Sequence, residues 1–185
     1  MKQQILYLCL METKEIYLAA GCFWGAEHYL KRIRGVVKTE TGYANGNIAY
    51  PTYREVYTDT TGYAETVRVV YDPDVLGLER LIQIYFSAID PTSLNKQGGD
   101  EGTRYRTGIY YQDPADLPAI RKVYDRVAGE AKAGLAVEVK PLKNFYRAEP
   151  EHQDYLDKHP QGYCHISPAL MEFARIANEP DSDTD

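Results

Sequence analysis

Cysteine is scarce in this chain, and what there is falls into no framework. Three occur in 185 residues, Cys9, Cys22 and Cys164, with no C-x-x-C pair among them. So odd and widely spaced a set is neither a disulfide scaffold nor a zinc finger, which leaves each thiol either chemical or incidental. Long apolar runs are lacking too, so no segment is a candidate for a membrane span. No basic run offsets the net charge of −6, which argues against a nucleic-acid surface. Repeats, linkers, low-complexity tracts and glycine-rich nucleotide loops are likewise missing. The opening, Met1 to Leu10, has an apolar part about half the length of a signal-peptide core, and no small-residue cleavage site follows it. A cytoplasmic location is therefore expected, with Met11 an alternative natural start ahead of the first strand.

What remains is the composition of an ordinary globule, 44% hydrophobic and 26% charged, sized for one domain. Its most distinctive stretch is Gly21-Cys22-Phe23-Trp24-Gly25, which holds the chain's only tryptophan. The apolar run Ile16 to Ala20 precedes it and a helix-like run from Ala26 to Ile33 follows. A thiol at a strand-to-helix turn lies beside unpaired backbone N–H groups, a field that favours thiolate. The flanking glycines permit a tight turn and close approach of a substrate. A buried structural cysteine is the plainer alternative.

Periodicity organises the rest. Strands are expected at Glu15 to Ala20, Val36 to Gly42, Ala64 to Tyr71, Tyr105 to Tyr111 and, last, Ala136 to Pro141. Helices are expected at Trp24 to Ile33, briefly near Pro51 to Val56, and from Leu78 to Ile89, which Asp90-Pro91 stops. Three more are expected: a long one capped by Asp113-Pro114 and running to Ala133, one at Pro150 to Lys158, and one at Pro168 to Asn178. Thr92 to Gly102 is too rich in Gly, Asn and Asp to be regular. The order β-α-β, β-α-β, α-β predicts an α+β fold, a two-layer sandwich with a ferredoxin-like split β-α-β core and an irregular C-terminal tail. Three parts are expected: an N-terminal extension over residues 1–14, a single catalytic domain over 15–178, and a disordered acidic tail over 179–185.

Alternation puts Glu65, Val67, Val69 and Tyr71 on one strand face. A carboxyl on an apolar face resists ionisation and can donate a proton near neutrality. An exposed strand-end glutamate is the simpler account of that segment alone. Tyr53 and Tyr105 stand in loop or loop-edge contexts where a phenol can donate to a polarised oxygen, or simply pack. Cys164, in the glycine-bearing tail Gln161-Gly162-Tyr163-Cys164-His165, is either an idle thiol or one that resolves another oxidised sulfur. His152, His159 and His165 fit no standard zinc spacing. A Cys-His hydrolase is possible in principle, but His28, six residues beyond Cys22, lies on nearly the opposite helix face, so the partner histidine would come from elsewhere.

Gly-Cys-Phe-Trp-Gly behind a short strand resembles the signature of the A-type peptide methionine sulfoxide reductases, and later segments match that family in order from about Ile16 to His165. Gly62-Tyr63-Ala64-Glu65 is similar to the family's Gly-His-Ala-Glu, with Tyr63 where the family often has His. The resemblance implies Cys22 as nucleophile, Glu65 as catalytic acid, and Tyr53 and Tyr105 as sulfoxide-binding phenols. It likewise implies Asp100 on the substrate side, Phe23 and Trp24 as the methyl pocket, and Cys164 as the resolving thiol. Glu149-Pro150-Glu151-His152-Gln153-Asp154-Tyr155-Leu156 resembles the family's acidic-His-Gln-x-Tyr stretch, read as support around the site. Implied too are reduction of methionine S-sulfoxide, free or in oxidised proteins, through a Cys22 sulfenic acid and a Cys22–Cys164 disulfide. Thioredoxin, or dithiothreitol in its place, is the implied reductant, with no bound cofactor or metal, no nucleic acid and no membrane. Cys9 matches no motif. The rivals are a thiol peroxidase, which has no use for a methyl pocket, and a non-catalytic module binding methionine-containing peptides.

Overall fold

The computed structural model describes residues 12–180. Cys9, Met11 and nearly all of the expected N-terminal extension lie outside the described residues, as do the last five of the acidic tail. In chain order come strand β1 (Lys14–Ala20), helix α1 (Phe23–Leu30), β2 (Val36–Ala44), α2 (Tyr53–Val56), β3 (Ala64–Tyr71) and α3 (Leu78–Ser87). Two short strands, β4 (Lys96–Gln97) and β5 (Asp100–Glu101), precede β6 (Thr107–Tyr111) and α4 (Leu117–Glu130). The chain then forms β7 (Glu138–Pro141), β8 (Phe145–Arg147), α5 (Tyr155–Lys158) and α6 (Pro168–Ile176).

Six strands form one sheet in the order β7-β6-β1-β3-β2-β8, parallel only between β6 and β7. Its middle, β6-β1-β3-β2, is the split β-α-β arrangement that the pattern predicts. A two-layer α+β fold results. Ile16 and Leu18 of β1, with Val67, Val69 and Tyr71 of β3, join Phe23, Ala26, Tyr29 and Leu30 of α1 in the main core. The opposite sheet face holds a smaller cluster of Tyr17, Ala19, Ala44, Ala64 and Tyr110, covered by Leu142 and Phe145. Pairing of β1 with β3 runs from Lys14–Tyr71 to Leu18–Val67. Continued by two residues, that register brings Glu65 alongside Ala20, at the mouth of the thiol turn.

Departures from expectation have local causes. Thr92 to Gly102 contains a two-strand hairpin, β4 with β5, held in part by Gln97, whose side chain accepts from Asp90 N (2.9 Å) and donates to Asp90 O (2.8 Å). Tyr105 ends a 3-10 turn rather than starting a strand. Asp113 caps a second 3-10 turn, Pro114–Asp116, and α4 ends at Glu130, before the expected Gly134 stop. The helix expected at Pro150 to Lys158 is split, because Asp154 adopts a left-handed φ of 51° between a 3-10 turn and α5. Ala136 to Pro141 is not the last strand: β8 follows and closes the sheet on β2. The short helix α2 owes its start to a capping box, Thr52 with Glu55.

Gly42 illustrates how tightly β8 sits. A Cβ there would lie 2.3 Å from Phe145 Cζ and 2.5 Å from Tyr146 O. Gly42→Ala should destabilise by about 1–3 kcal/mol in urea denaturation. Gly129→Ala, in α4 where nothing lies within 4 Å of the added Cβ, should instead stabilise by about 0.5–1 kcal/mol. Equal effects at the two sites would mean that β8 yields freely.

Candidate active site

Gly21, at φ 82°, turns the chain out of β1, and Cys22 becomes the N-cap of α1. A helix start leaves its first N–H groups without intrahelical partners. Here each has a use. Phe23 N–H donates to Glu65 Oε2 at 2.9 Å, and the N–H groups of Trp24 and Gly25 favour the anionic form of the Cys22 sulfur. Ala26 N–H closes on Cys22 O at 3.2 Å. The helix end is thus shared between a carboxyl and a thiol.

Both groups are buried, Cys22 at 6% exposure and Glu65 at 1%. Burial pushes the Cys22 thiol well above its ordinary range, and the Glu65 and Asp100 charges add to this, against the pull of the two N–H groups. The expected thiolate is therefore not the resting form: the N–H groups are in place, but desolvation of the anion outweighs them. Burial likewise raises Glu65 to about 8, opposed by the Phe23 N–H and the positive Arg104. Glu65 is thus a protonated acid at neutrality, as its strand face predicts. With Oε2 engaged as an acceptor, Oε1 is left to carry the proton.

Tyr53 and Tyr105 both lie near Glu65 and Cys22, whose charges act on both phenols. Burial raises Tyr53 to about 12 and Tyr105 further, so both stay protonated donors. Tyr53 is held by its N–H to Glu149 Oε1 at 2.7 Å and by its ring 4.4 Å from that of His152. Tyr105 lies under the Arg104 guanidinium, 4.3 Å from the ring centroid, and Arg104 pairs with Asp59 at 2.5 Å. Asp100 sits on the hairpin, where its Oδ2 accepts from the Tyr163 hydroxyl at 3.0 Å.

The aromatic wall is built from α1 and the tail. Phe23 is buried against Tyr43 and His152, with centroids 5.8 and 5.5 Å away. Trp24 stacks on Tyr155 at 3.8 Å and donates from Nε1 to His152 Nδ1 at 3.1 Å. The support expected of the Glu149 to Tyr155 stretch has this physical form. Gln153 adds to it by bonding both backbone groups of Thr41, 2.9 Å each.

Cys22 and Cys164 are both free thiols. Cys164 lies in a tail seated on α1: a Cβ added to Gly25 would come within 3.1 Å of Cys164 Sγ. The sulfur donates to Ile166 O at 3.3 Å, and burial raises its thiol above the ordinary value. His28 is engaged elsewhere, 3.2 Å from Asp157. Among the described residues, no group of three or more His, Cys, Asp or Glu is placed to hold a metal, and no helix is long and apolar enough to cross a membrane.

The family model for peptide methionine sulfoxide reductase matches residues 14–182. The chain belongs to that family. A peptide methionine sulfoxide reductase from Lachnoclostridium phytofermentans is 53% identical over 165 residues, 89% of this chain and 99% of the relative. The reduced form of Mxr1 from Saccharomyces cerevisiae superposes with a TM-score of 0.79 at 39% identity, covering 84% of this chain and 91% of that one. Mxr1 in complex with Trx2 matches less closely, with a TM-score of 0.55 at 30% identity over 77% and 84% of the two chains.

Within this reductase fold, three contributors carry no sequence signal that singles them out: Arg104 over Tyr105, Asp59 that holds it, and His165 beside the thiol turn. Asp59 and Arg104 are 45 residues apart, and only the fold joins them.

Glu65 makes stability depend on pH. Its folded value of about 8 stands above the ordinary 4.5, so the stabilisation it confers is complete below about pH 4.5 and is lost as pH rises through about 8. The parent should therefore weaken between about pH 5 and pH 9 relative to Glu65→Gln, which keeps an acceptor for Phe23 N–H but cannot ionise. Urea midpoints across that range give the check. Parallel curves would mean that Glu65 titrates normally.

Proposed function

We propose that this chain reduces methionine S-sulfoxide, free or in oxidised proteins, to methionine, with residues 15–178 as one catalytic domain. One observation carries the assignment of residues: Glu65 and Cys22 share the N-terminus of α1, with Phe23 N–H on the carboxyl at 2.9 Å. Acid and nucleophile are thereby held on one rigid frame, beside the Phe23–Trp24 wall.

The chemistry needs a soft nucleophile at sulfur, a proton for the oxygen and an apolar seat for the methyl group. In this reading the sulfoxide oxygen enters between Glu65 Oε1, Tyr53 and Tyr105, and its methyl rests on Phe23 and Trp24. Asp100 lies on the substrate side. The Cys22 sulfur attacks while Glu65 gives its proton to the oxygen, the Cys22 thiol proton passes back to Glu65, and the phenols steady the negative charge that develops on the oxygen. The sulfoxide sulfur is reduced and methionine leaves; Cys22 is oxidised to sulfenic acid. The Cys164 thiol then displaces the hydroxyl as water, forming a Cys22–Cys164 disulfide. A dithiol reductant reopens it. Thioredoxin is the natural candidate, which the Mxr1–Trx2 complex supports, and a reducing compartment such as the cytoplasm suits that cycle.

Thioredoxin-coupled NADPH consumption with methionine sulfoxide, then with hydrogen peroxide, tests the reading. Turnover on the sulfoxide is expected, and a preference for peroxide would overturn it. Cys22→Ser should be inactive on either substrate while remaining folded, because a hydroxyl is a poor nucleophile at neutral pH. Cys164→Ser should release about one methionine per enzyme and then stall. In the parent, the methionine-releasing step should hold below about pH 8 and slow above it, as Glu65 loses its proton. Glu65→Gln should be slower by roughly 10²-fold and lack that alkaline limb.

A further inference from the structure

His165 follows Cys164 directly, and the mechanism above leaves it without a task. Its ring is inserted into the thiol turn. Nε2 lies 2.9 Å from Ala20 O, and because a carbonyl only accepts, Nε2 carries the proton. Nδ1 therefore holds a lone pair, and among the described residues this buried atom has no hydrogen-bond partner. A buried acceptor left unpaired is costly, which marks it as serving another state of the protein. Its surroundings name that state. A Cβ on Gly25 would meet His165 Nδ1 at 2.9 Å and Cys164 Sγ at 3.1 Å, so the lone pair and the thiol abut one spot on the first turn of α1. That spot is three residues beyond Cys22. Only glycine at 21 and 25 leaves room for the ring, since a Cβ at Gly21 would come within 3.1 Å of Nε2.

We propose that His165 is a further catalytic residue of the resolving step, in which its Nδ1 accepts the Cys164 thiol proton as that sulfur attacks oxidised Cys22. The inference rests on Cys164 being the resolving thiol. A thiol attacks as thiolate, and Cys164 at rest spends its proton on Ile166 O at 3.3 Å. On rotation away from that carbonyl, the S–H turns towards Nδ1. The new S–S bond forms as the Cys22 S–O bond breaks. Cys22 is reduced from the sulfenic state, Cys164 is oxidised, and the proton taken by His165 passes to the departing hydroxide to give water. The bond from Nε2 to Ala20 O holds the ring fixed during transfer. Asp100 of the hairpin is the charged group whose field reaches the ring, and Cys164, its neighbour in the tail, is the titratable thiol that shares the Gly25 spot with it.

The test uses one equivalent of methionine sulfoxide without reductant, following methionine release and disulfide formation separately. His165→Gln retains an N–H for Ala20 O but offers no base. Release of about one methionine should proceed at the parental rate, whereas the Cys22–Cys164 disulfide should form roughly 10²-fold more slowly, with Cys22 sulfenic acid trapped by dimedone meanwhile. The pH profile should change shape as well. Resolution in the parent should level off once His165 is neutral; in His165→Gln it should climb until Cys164 ionises unaided. Parental resolution in the variant, or an unchanged profile merely lowered, would overturn the proposal, as would loss of the methionine burst itself. If instead the parent forms no peptide cross-link between Cys22 and Cys164, the resolving role of Cys164 fails, a distinct result.

Discussion

A single hydrogen bond, from Phe23 N–H to Glu65 Oε2, fixes the relation between helix and sheet on which the site depends. It ties the first residue of α1 to the second residue of β3, 42 positions later in the chain. The next two N–H groups of the same turn favour the anionic form of the Cys22 sulfur. Were the helix rotated, acid and thiol would separate together. Gly21 sets the turn that permits this, and the β1–β3 register sets where the carboxyl arrives.

Burial does the remaining tuning, and it acts on both reacting groups in one direction. Desolvation penalises any charge in the pocket, so the acid keeps its proton and the thiol does too. The two would destabilise each other if both ionised. A neutral pair at rest avoids that repulsion and leaves charge to appear only when a polar S=O group arrives to share it. In the proposed reaction Tyr53 and Tyr105, kept protonated by the same burial, become donors to the developing charge. Arg104 is the counterweight. Held by Asp59 and stacked over Tyr105, it keeps a positive field near the pocket without entering it.

Much of this was legible in the sequence where a short-range rule governs. Period-two alternation located Glu65 on the core face, and the Gly-Cys turn marked the thiol now proposed as nucleophile. Long-range contacts were illegible for a physical reason. Strand β8 is only three residues long and exists because β2 offers it an edge. Asp154 breaks a helix by adopting a left-handed conformation that its type merely tolerates, steadied by its N–H to buried Glu27 at 2.9 Å. The resting state of Cys22 was misjudged because helix-end geometry is local, whereas the depth of burial belongs to the whole fold.

The Trp24 side chain has a consequence beyond its place in the wall. It is the chain's only tryptophan, stacked on Tyr155 and bonded through its indole N–H to His152. All indole emission from this protein therefore originates two residues from Cys22. Stacking and hydrogen bonding both quench or shift such emission, so oxidation, substrate entry and tail movement each leave an optical trace. The fold carries its own fluorophore beside Cys22, so the proposed catalytic cycle can be watched without a label.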